Sequence, residues 1–325
     1  MPEPVAAADE VVVDVSRVGL CGTDNELFTG DMPYLHDGRA WYPLRIGHEW
    51  SGRVSAVGSS VDEGWIGKHV TGDTMIGDQT CRRCRAGRHW VCENLQELGI
   101  SKGRSGALAE KVAVPERSLR LLPAQVDDSM GALVEPGANS WRAAKAAALQ
   151  PGERLLVMGP GTIGLMAAMF ARAEGAEVHL LGRSERSVDF ARSIGFNDVW
   201  TRATLPQIAW DAVIDASDSA ELPSRAVQLV EPGKRVVYIG LASSPSNVDT
   251  RDMVLKDVTA VGILSGSPGL DGAIAAYASG AVDPRPLVGA VVGMDEVADV
   301  LAGNWSGAES KGPKVHVRIG KESAA

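Results

Sequence analysis

The chain has 325 residues, of which 45% are hydrophobic and 22% are charged. This length exceeds what one hydrophobic core usually organises, so it indicates two globular domains. The 32 basic and 41 acidic side chains give a formal net charge of −9. That balance argues against nucleic acid or an anionic membrane as partner, because both need a basic surface. No nucleic-acid or membrane partner is therefore expected, and small molecules or further copies of the chain are favoured.

Targeting signals and cysteine usage predict a cytoplasmic protein. Residues 1–10 lack the basic start and apolar core of a signal peptide. The apolar run 155–171 contains three glycines and a proline, so it fits a strand, a turn and a helix better than a membrane span. Three of the four cysteines lie within residues 81–92, a pattern unlike the disulfide framework of small secreted domains.

The first part of the chain, to about Glu135, predicts an irregular antiparallel β domain. Short runs rich in β-branched residues, such as VVVDV at 11–15 and GRVSAVG at 52–58, alternate with turns rich in glycine and proline. From Trp141 onwards, apolar strands alternate with amphipathic helices, which is the pattern of a parallel α/β sheet. These strands are RLLVM, EVHLL, DAVIDAS, RVVYIG and VTAVGI. The stretch 281–303 is typical of neither half.

A glycine-rich loop predicts a dinucleotide site. The strand 154–158 runs into Gly159-Pro160-Gly161-Thr162-Ile163-Gly164 and then into an apolar helix. In this context the first glycine permits a tight turn, the second lets a pyrophosphate approach and the third allows helix and strand to pack closely. The helix N-terminus offers free N–H groups to the phosphates. The alternative interpretation is a glycine-rich turn that binds no ligand.

The end of the next strand favours NADP(H) over NAD(H). NAD-preferring sites usually place a carboxylate there for the ribose hydroxyls, whereas this chain has Gly182-Arg183-Ser184-Glu185-Arg186. Arg183 and Arg186 can pair with a 2′-phosphate. Alternatively, they are solvated charges at a helix start, and Glu185 weakens the preference, so NAD remains possible. Ser217, Gly240 and Leu241 are also assigned to the cofactor site.

Two groups of residues have the composition of zinc sites. The first is Asp78-x2-Cys81-x2-Cys84-x7-Cys92, in which a carboxylate completes a three-cysteine lobe. Its alternative is a reduced loop without metal. The second group needs the fold to assemble it and comprises Cys21, His48, Glu49 and Glu135, a donor set typical of catalytic zinc. Taken singly, each of these residues also has an ordinary structural explanation.

The motifs GLCGTD, GHEWSG, the cysteine lobe, ALVEP, GPGTIG and DAVIDAS resemble, in this order, those of zinc-dependent medium-chain alcohol dehydrogenases. The resemblance covers nearly the whole chain and is greatest to the polyol, sugar and cyclitol branch, which includes sorbitol, glucose and 2-deoxy-scyllo-inosamine dehydrogenases. It implies an α/β protein with a GroES-like catalytic domain at 1–137 and 283–325. A Rossmann domain with a doubly wound parallel sheet is implied at 138–282, so the ambiguous tail returns to the first domain.

The resemblance also implies roles for single residues. Cys21, His48 and Glu135 match the catalytic zinc ligands, and Glu49 matches a carboxylate that either holds the zinc-bound water or replaces it. Thr23 matches the hydroxyl that takes the substrate proton. Glu26 stands where many members have a proton-relaying histidine, and Glu97 matches a carboxylate that contacts sugar hydroxyls. Asp78 departs from the family's usual first lobe cysteine.

These features predict a zinc-dependent enzyme that moves hydride between NADP(H) and a secondary alcohol or ketone, as a homodimer or homotetramer. The residues available to a polar pocket are Glu97, Thr74, Asn139 and Glu26, whereas those available to an apolar one are Trp50, Trp41 and Tyr42. Trp50, Asn139 and Glu97 are predicted to contact the substrate. Two rival interpretations are a zinc-free quinone or enoyl reductase, which normally lacks the GHE and lobe motifs, and a non-catalytic NADPH-binding sensor.

Overall fold

The computed structural model describes residues 3–242, 244–305 and 312–319. The chain is divided into two compact units. The first unit contains Met1–Glu135, Tyr277–Ser279 and Asp283–Ala325, and the second contains Pro136–Ala276 and Gly280–Val282. The domain limits expected from the sequence lie at 137/138 and 282/283.

Short strands and short helices make up the first part of the chain. In order they are β1 (Glu10–Leu20), α1 (Gly22–Thr29), α2 (Pro33–His36), β2 (Glu49–Val57), β3 (His69–Gly72), β4 (Met75–Ile76), α3 (Arg82–Arg85), β5 (Gln96–Glu97), β6 (Lys111–Pro115), β7 (Leu119–Leu121) and α4 (Asp128–Ala132). Single 3-10 turns lie at Glu63–Trp65, His89–Val91 and Glu116–Ser118.

Longer helices then alternate with strands. These are α5 (Val134–Ala147), β8 (Arg154–Met158), α6 (Thr162–Ala173), β9 (Glu177–Leu181), α7 (Glu185–Ser193), β10 (Val199–Trp200), β11 (Trp210–Asp215), α8 (Leu222–Leu229), β12 (Val230–Tyr238), α9 (Thr250–Leu255), β13 (Thr259–Gly262) and α10 (Leu270–Ala278). The last elements are β14 (Val288–Val292), α11 (Val297–Leu301) and β15 (Lys314–Arg318), with 3-10 turns at Ser267–Gly269, Arg285–Leu287 and Met294–Glu296.

The first unit is built on a seven-stranded sheet with the order β14-β15-β1-β2-β3-β7, in which β6 also pairs with β1. Its ladders are antiparallel except for β14 with β15. Strand β1 has irregularities between Val12 and Val13 and between Val15 and Arg17, which let it turn around the core. Because β15 pairs with β1, this strand returns to the first unit.

The second unit is a six-stranded parallel sheet with the order β10-β9-β8-β11-β12-β13. Leu155–Met158 in the central strand β8 have no exposed surface, as expected for a strand with helices on both faces. The chain order reverses between β8 and β11, and ligands of such sheets bind at the carboxyl ends of the strands beside this point. The predicted fold class is therefore confirmed: a β-rich unit accompanies a doubly wound parallel sheet.

The connection from β10 to β11 is short. Residues 201–209 form neither a helix nor a strand, although crossovers between parallel strands usually take a dozen or more residues and include a helix. Two tryptophans flank the connection, and the ring of His179 in β9 contacts both of them. Its centroid lies 6.4 Å from that of Trp200 and 4.9 Å from that of Trp210.

Candidate active site and cofactor site

Pairing of β1 with β2 brings three possible metal ligands together. Cys21 follows β1, His48 precedes β2, and Glu49 is the first residue of β2 and lies opposite Gly19. The Cys21 Sγ is 3.3 Å from the His48 Nε2, and the ligand atoms of Cys21, His48 and Glu49 all lie within 4.8 Å of one another. Sulfur, nitrogen and oxygen donors at this spacing fit a zinc ion.

Asp24 holds two members of this cluster in place, and the sequence did not single it out. Its carboxylate is fully buried and accepts hydrogen bonds from the backbone N–H groups of Cys21 at 3.0 Å and Gly47 at 3.1 Å. It also lies 3.8 Å from the Nδ1 of His48. Because Asp24 is the third residue after Cys21, the first turn of α1 itself supplies this contact; the motif Cys-Gly-Thr-Asp was the available signal.

Lys314, from the distant strand β15, holds Glu49. Its Nζ donates to both carboxylate oxygens of Glu49 at 2.8 Å and to the backbone oxygen of Leu20 at 3.0 Å. Both side chains are 3% exposed. A Cβ atom at Gly19 would lie 2.2 Å from the Glu49 Oε2, so only glycine leaves room for this pair. Lys314 is the first residue of β15, whose burial pattern is mixed, and no motif in the sequence pointed to it.

Burial and neighbouring charges shift the pKa values of Cys21 and His48. Burial, with Asp24 as the next cause, raises the pKa of the Cys21 thiol. Burial alone would lower the pKa of His48, but the charges of Cys21 and Asp24 outweigh it and raise that pKa. A divalent cation favours the deprotonated thiol and the neutral imidazole, so binding one here releases protons.

The other predicted catalytic residues lie around this cluster. Glu135 is in the first turn of α5 and its charge helps to raise the pKa of His48, but in the described part of the chain it falls outside the group with mutual distances within 4.8 Å. Thr23 is partly buried on α1, and Glu26 follows on the same helix with an exposed side chain. Partial burial and Asp31 raise the pKa of Glu26.

The three predicted substrate residues have different surroundings. Glu97 is 8% exposed; burial raises its pKa, while hydrogen bonds to Ser101 and Tyr34 and the charge of His48 act in the opposite direction. Trp50 is fully buried in the first unit's core, and its Cζ2 lies 2.7 Å from where a Gly72 Cβ would stand. Trp50 is therefore corrected from a substrate contact to a core residue.

Asn139 is partly buried on α5 in the second unit. The aromatic candidates Trp41 and Tyr42 have 51% and 57% of their surfaces accessible. Thr74 is buried and donates to the backbone oxygen of His48 at 3.4 Å. This hydrogen bond from Thr74 therefore helps to fix the backbone of His48.

The cysteine lobe gathers its four predicted ligands. Atoms of Asp78, Cys81, Cys84 and Cys92 lie within 4.8 Å of one another, and all four cysteines of the chain are free thiols. The Asp78 Oδ1 accepts from the backbone N–H groups of Thr80 and Cys81, and its Oδ2 accepts from Asn94 at 2.7 Å. The Cys81 N–H and Asn94 hold the pKa of Asp78 well below its usual range. Three hydrogen bonds therefore hold the Asp78 carboxylate within the cluster.

The glycine loop follows β8 as predicted. Gly159 has a φ of +91°, and a Cβ at Gly164 would lie 2.0 Å from the Gly159 oxygen, so the turn and the helix contact both require glycine. Around the Cβ position of Gly161 there is no atom within 4 Å. This open face adjoins the N-terminus of the twelve-residue helix α6, so Thr162 and Ile163 present backbone N–H groups toward a phosphate.

At the end of β9, Gly182 is closely packed. A Cβ there would lie 2.8 Å from the Ser187 Oγ and 3.0 Å from the Val188 Cγ2. Ser184 caps helix α7, where its Oγ accepts from the Ser187 N–H at 3.3 Å. The remaining predicted cofactor residues differ in their surroundings: Arg183, Arg186 and Leu241 are exposed, Ser217 donates to Asp215 at 2.6 Å, and Gly240 lies against the Ser217 backbone.

Comparison with known proteins gives the family. The family described as "Alcohol dehydrogenase GroES-like domain" matches residues 7–124, and the family described as "Zinc-binding dehydrogenase" matches residues 162–279. An L-threonine 3-dehydrogenase from Saccharopolyspora erythraea is 32% identical over 275 residues, which is 81% of this chain and 78% of that protein. The chain belongs to the zinc-containing medium-chain alcohol dehydrogenase family.

Further relatives of this dehydrogenase family have different substrates in their names. An L-galactonate-5-dehydrogenase from Escherichia coli K12 is 30% identical, covering 82% of this chain and 78% of that protein. A solved zinc-binding dehydrogenase from Sinorhizobium meliloti 1021, bound to NADP, is 27% identical with a TM-score of 0.87 over 98% of this chain and 93% of that one.

Membership in the alcohol dehydrogenase family identifies the two clusters as zinc sites and the second unit as an NAD(P)-binding unit. The cluster of Cys21, His48 and Glu49 is the catalytic one, and the lobe is the structural one. Within the described residues, no helix has both the length and the apolar character needed to cross a membrane.

Proposed function

We propose that the protein is an NADP-preferring zinc dehydrogenase that interconverts a polar secondary alcohol, such as a polyol, sugar or cyclitol, with its ketone. The single observation that carries this proposal is the convergence of Cys21, His48 and Glu49 within 4.8 Å. A zinc-free quinone or enoyl reductase would not need this donor set. A non-catalytic sensor would not need metal ligands next to the proton-carrying residues Thr23 and Glu26.

When bound, zinc supplies Lewis acidity and the nicotinamide accepts the hydride. In the proposed mechanism, Cys21 and His48 would hold the metal, and Glu49 and Glu135 would be its carboxylate ligands. Thr23 accepts the proton of the substrate hydroxyl. Glu26 lies three residues later on α1, so the two side chains are neighbours on the helix surface. Its raised pKa suits an exposed group that passes protons to solvent.

Glu97 is proposed to select hydroxylated substrates. It is buried, it faces the charge of His48, and Tyr34 and Ser101 fix its carboxylate. A substrate hydroxyl that donates to this buried carboxylate adds a charge-assisted hydrogen bond, so substrates with a hydroxyl group at this point are favoured. Curated relatives named for L-galactonate and for 2-dehydro-3-deoxy-L-galactonate support a hydroxylated substrate.

The NADP preference is proposed from the end of β9. The chain has Gly182 where NAD-preferring sites have a carboxylate for the ribose hydroxyls, and a side chain there would require Ser187 and Val188 to shift. Arg183 and Arg186 lie beside the N-terminus of the nine-residue helix α7, which favours an anion. Ser217, Gly240 and Leu241 remain proposed cofactor contacts, and NAD remains the alternative cofactor.

The experiment that tests this function combines metal analysis with a substrate screen. Purified protein should contain about two zinc ions per chain, and polyols, aldoses, cyclitols and simple secondary alcohols should be assayed with NADP⁺ and NAD⁺ in parallel. In Glu97→Gln, the KM for a polyol should rise while that for a simple secondary alcohol stays unchanged. Ser193→Ala, an exposed change on α7, is the matched control. Turnover without zinc, or a tenfold preference for NAD⁺, would contradict the proposal.

The lobe is proposed to hold structural zinc through Asp78, Cys81, Cys84 and Cys92. A homodimer or homotetramer is also proposed, since β13 ends the order of the parallel sheet and Val254, Leu255 and Leu264 near it are 79%, 78% and 57% exposed. Light scattering of purified protein tests this assembly. The cytoplasmic location stays a prediction.

A further inference from the structure

The order of the parallel sheet arranges three loops along one edge. Strands β8, β9 and β10 are consecutive neighbours, and their carboxyl ends face the same way. The glycine loop follows β8, Gly182 and Arg183 follow β9, and Arg202 follows β10. The sheet therefore presents a phosphate-binding turn, a ribose position and an arginine in succession.

The register between β9 and β10 brings the starts of the loops that carry Arg183 and Arg202 side by side. Leu181 pairs with Trp200, and the Gly182 N–H donates to the Trp200 oxygen at 2.9 Å. Arg183 and Arg202 each come two residues after the pair Leu181 and Trp200, so their loops start at the same edge of the sheet. This arrangement was not evident from the sequence, since helix α7 separates the two positions along the chain.

The usual geometry of dinucleotide binding indicates which part of the ligand would lie near Arg183 and Arg202. With the pyrophosphate at the loop after β8, the adenosine ribose lies over the end of β9. A group on the outer side of that ribose then extends toward the end of β10. The group that distinguishes NADP from NAD is a 2′-phosphate on this ribose, and guanidinium is the side chain best suited to bind it.

The surroundings of Arg202 leave it available. Its ion pair with Glu221 is 3.1 Å long, but the two side chains are 62% and 78% exposed, and exposed pairs of this kind contribute little free energy. Arg202 and Leu181 line a cavity of about 720 Å³ between the connection 201–209 and helix α8. Because this connection contains no helix, the space beside the arginine stays open.

We propose that Arg202 is a second recognition residue for the 2′-phosphate of NADP(H), acting with Arg183, and that Glu221 holds it when no nucleotide is bound. This inference rests on the proposed NADP preference for its biological meaning. The contact itself requires only that a 2′-phosphorylated adenosine binds at this edge. A phosphate displaces the Glu221 carboxylate from Arg202 because it offers more oxygens and a larger charge.

The test measures binding by calorimetry, with adenosine 2′,5′-bisphosphate and 5′-AMP as probes beside NADP⁺ and NAD⁺. Arg202→Ala should weaken the bisphosphate and NADP⁺ by about 10- to 100-fold, since a hydrogen bond to a charged group contributes roughly 1.5–3 kcal/mol. Its affinity for 5′-AMP and NAD⁺ should change less than twofold. Glu221→Gln should bind NADP⁺ as tightly as the native chain or more tightly.

Arg225→Ala is the matched control, because Arg225 lines the same cavity from α8 and bonds to Gln228. It should leave all four affinities unchanged. Unchanged bisphosphate binding in Arg202→Ala would overturn the inference, as would an equal loss for 5′-AMP. The preference is tested separately: if the native chain binds NAD⁺ more tightly than NADP⁺ while Arg202→Ala still loses the bisphosphate, the proposed preference fails and the role of Arg202 stands.

Discussion

The two zinc clusters of the first unit use similar donors but are supported in different ways. Around Cys21, His48 and Glu49, the support comes from buried charges, Asp24 and Lys314, and Lys314 is 265 residues from Glu49 in sequence. The lobe is supported by its own backbone: N–H groups within residues 78–94 donate to Asp78 and to the cysteine sulfurs.

The two kinds of support predict different consequences of substitution in the two clusters. The buried cluster depends on the whole fold of its unit, so damage to it affects both chemistry and stability. The lobe is a local structure whose partly exposed ligands depend on short-range hydrogen bonds. Burial raises the pKa of Cys21, whereas the N–H groups of Glu93 and Cys84 lower that of Cys81 and burial raises that of Cys84 to about 12.

The largest expected effect comes from Cys21→Ser. Loss of the thiolate should reduce kcat/KM by about four orders of magnitude, roughly 5 kcal/mol of transition-state stabilisation. Zinc content should fall from about two ions to about one per chain, and NADP⁺ affinity should stay within about twofold. Steady-state kinetics and metal analysis of the same preparation check this outcome. Full activity with one zinc ion remaining would assign the catalytic role to another cluster.

A second test breaks the buried support. Lys314→Met leaves the Glu49 carboxylate buried without its partner, which should lower the free energy of unfolding by about 3–5 kcal/mol. Adding Glu49→Gln should recover much of this loss, because the buried charge is then removed. Urea unfolding of the single and double variants, with Lys314→Arg as control, measures the difference. Equal stability of Lys314→Met and the native chain would refute the buried-charge explanation.

The corresponding change in the lobe should act on the metal rather than on the reaction. Asp78→Ala removes one ligand, so zinc affinity at the lobe should fall by about 100-fold, or roughly 2.7 kcal/mol. Asp78→Cys should retain the ion at least as tightly as the native chain. Competition with a chromogenic chelator measures both variants, with kcat recorded alongside. If Asp78→Ala retained zinc as tightly as the native chain, Asp78 would not be a ligand.

The smallest expected effect concerns the stability of the fold at acidic pH. Burial, with the charges of Lys314 and Arg17, lowers the pKa of His316 to about 3, whereas an unfolded histidine titrates near 6.5. The unfolded chain therefore binds the proton more readily, and stability falls as the pH drops from about 6.5 toward 3. At pH 5 the loss should reach about 2 kcal/mol. His316→Asn should reduce this slope in urea titrations; an unchanged slope would exclude His316 as its source.

The local features of the site could be predicted from the sequence. The glycine loop, the lobe and the Cys21 and His48 motifs are each contained in a few residues whose chemistry depends on neighbours in the chain. Lys314 was missed because its significance depends on the pairing of β15 with β1 and of β1 with β2. Trp50 was misassigned because β2 is buried on both faces at Glu49–Gly52, so alternation gave no signal of which side chains face the pocket.

The short connection between β10 and β11 also has an optical consequence. Of the eight tryptophans in the chain, Trp200 precedes Arg202 by two residues and Trp210 lines the neighbouring cavity. Both indoles contact the ring of His179, so movement of this connection changes the environment of two fluorophores at once. Nucleotide arriving at Arg202 should therefore alter the intrinsic emission before any substrate is added, and replacing Trp210 with Phe should diminish that signal.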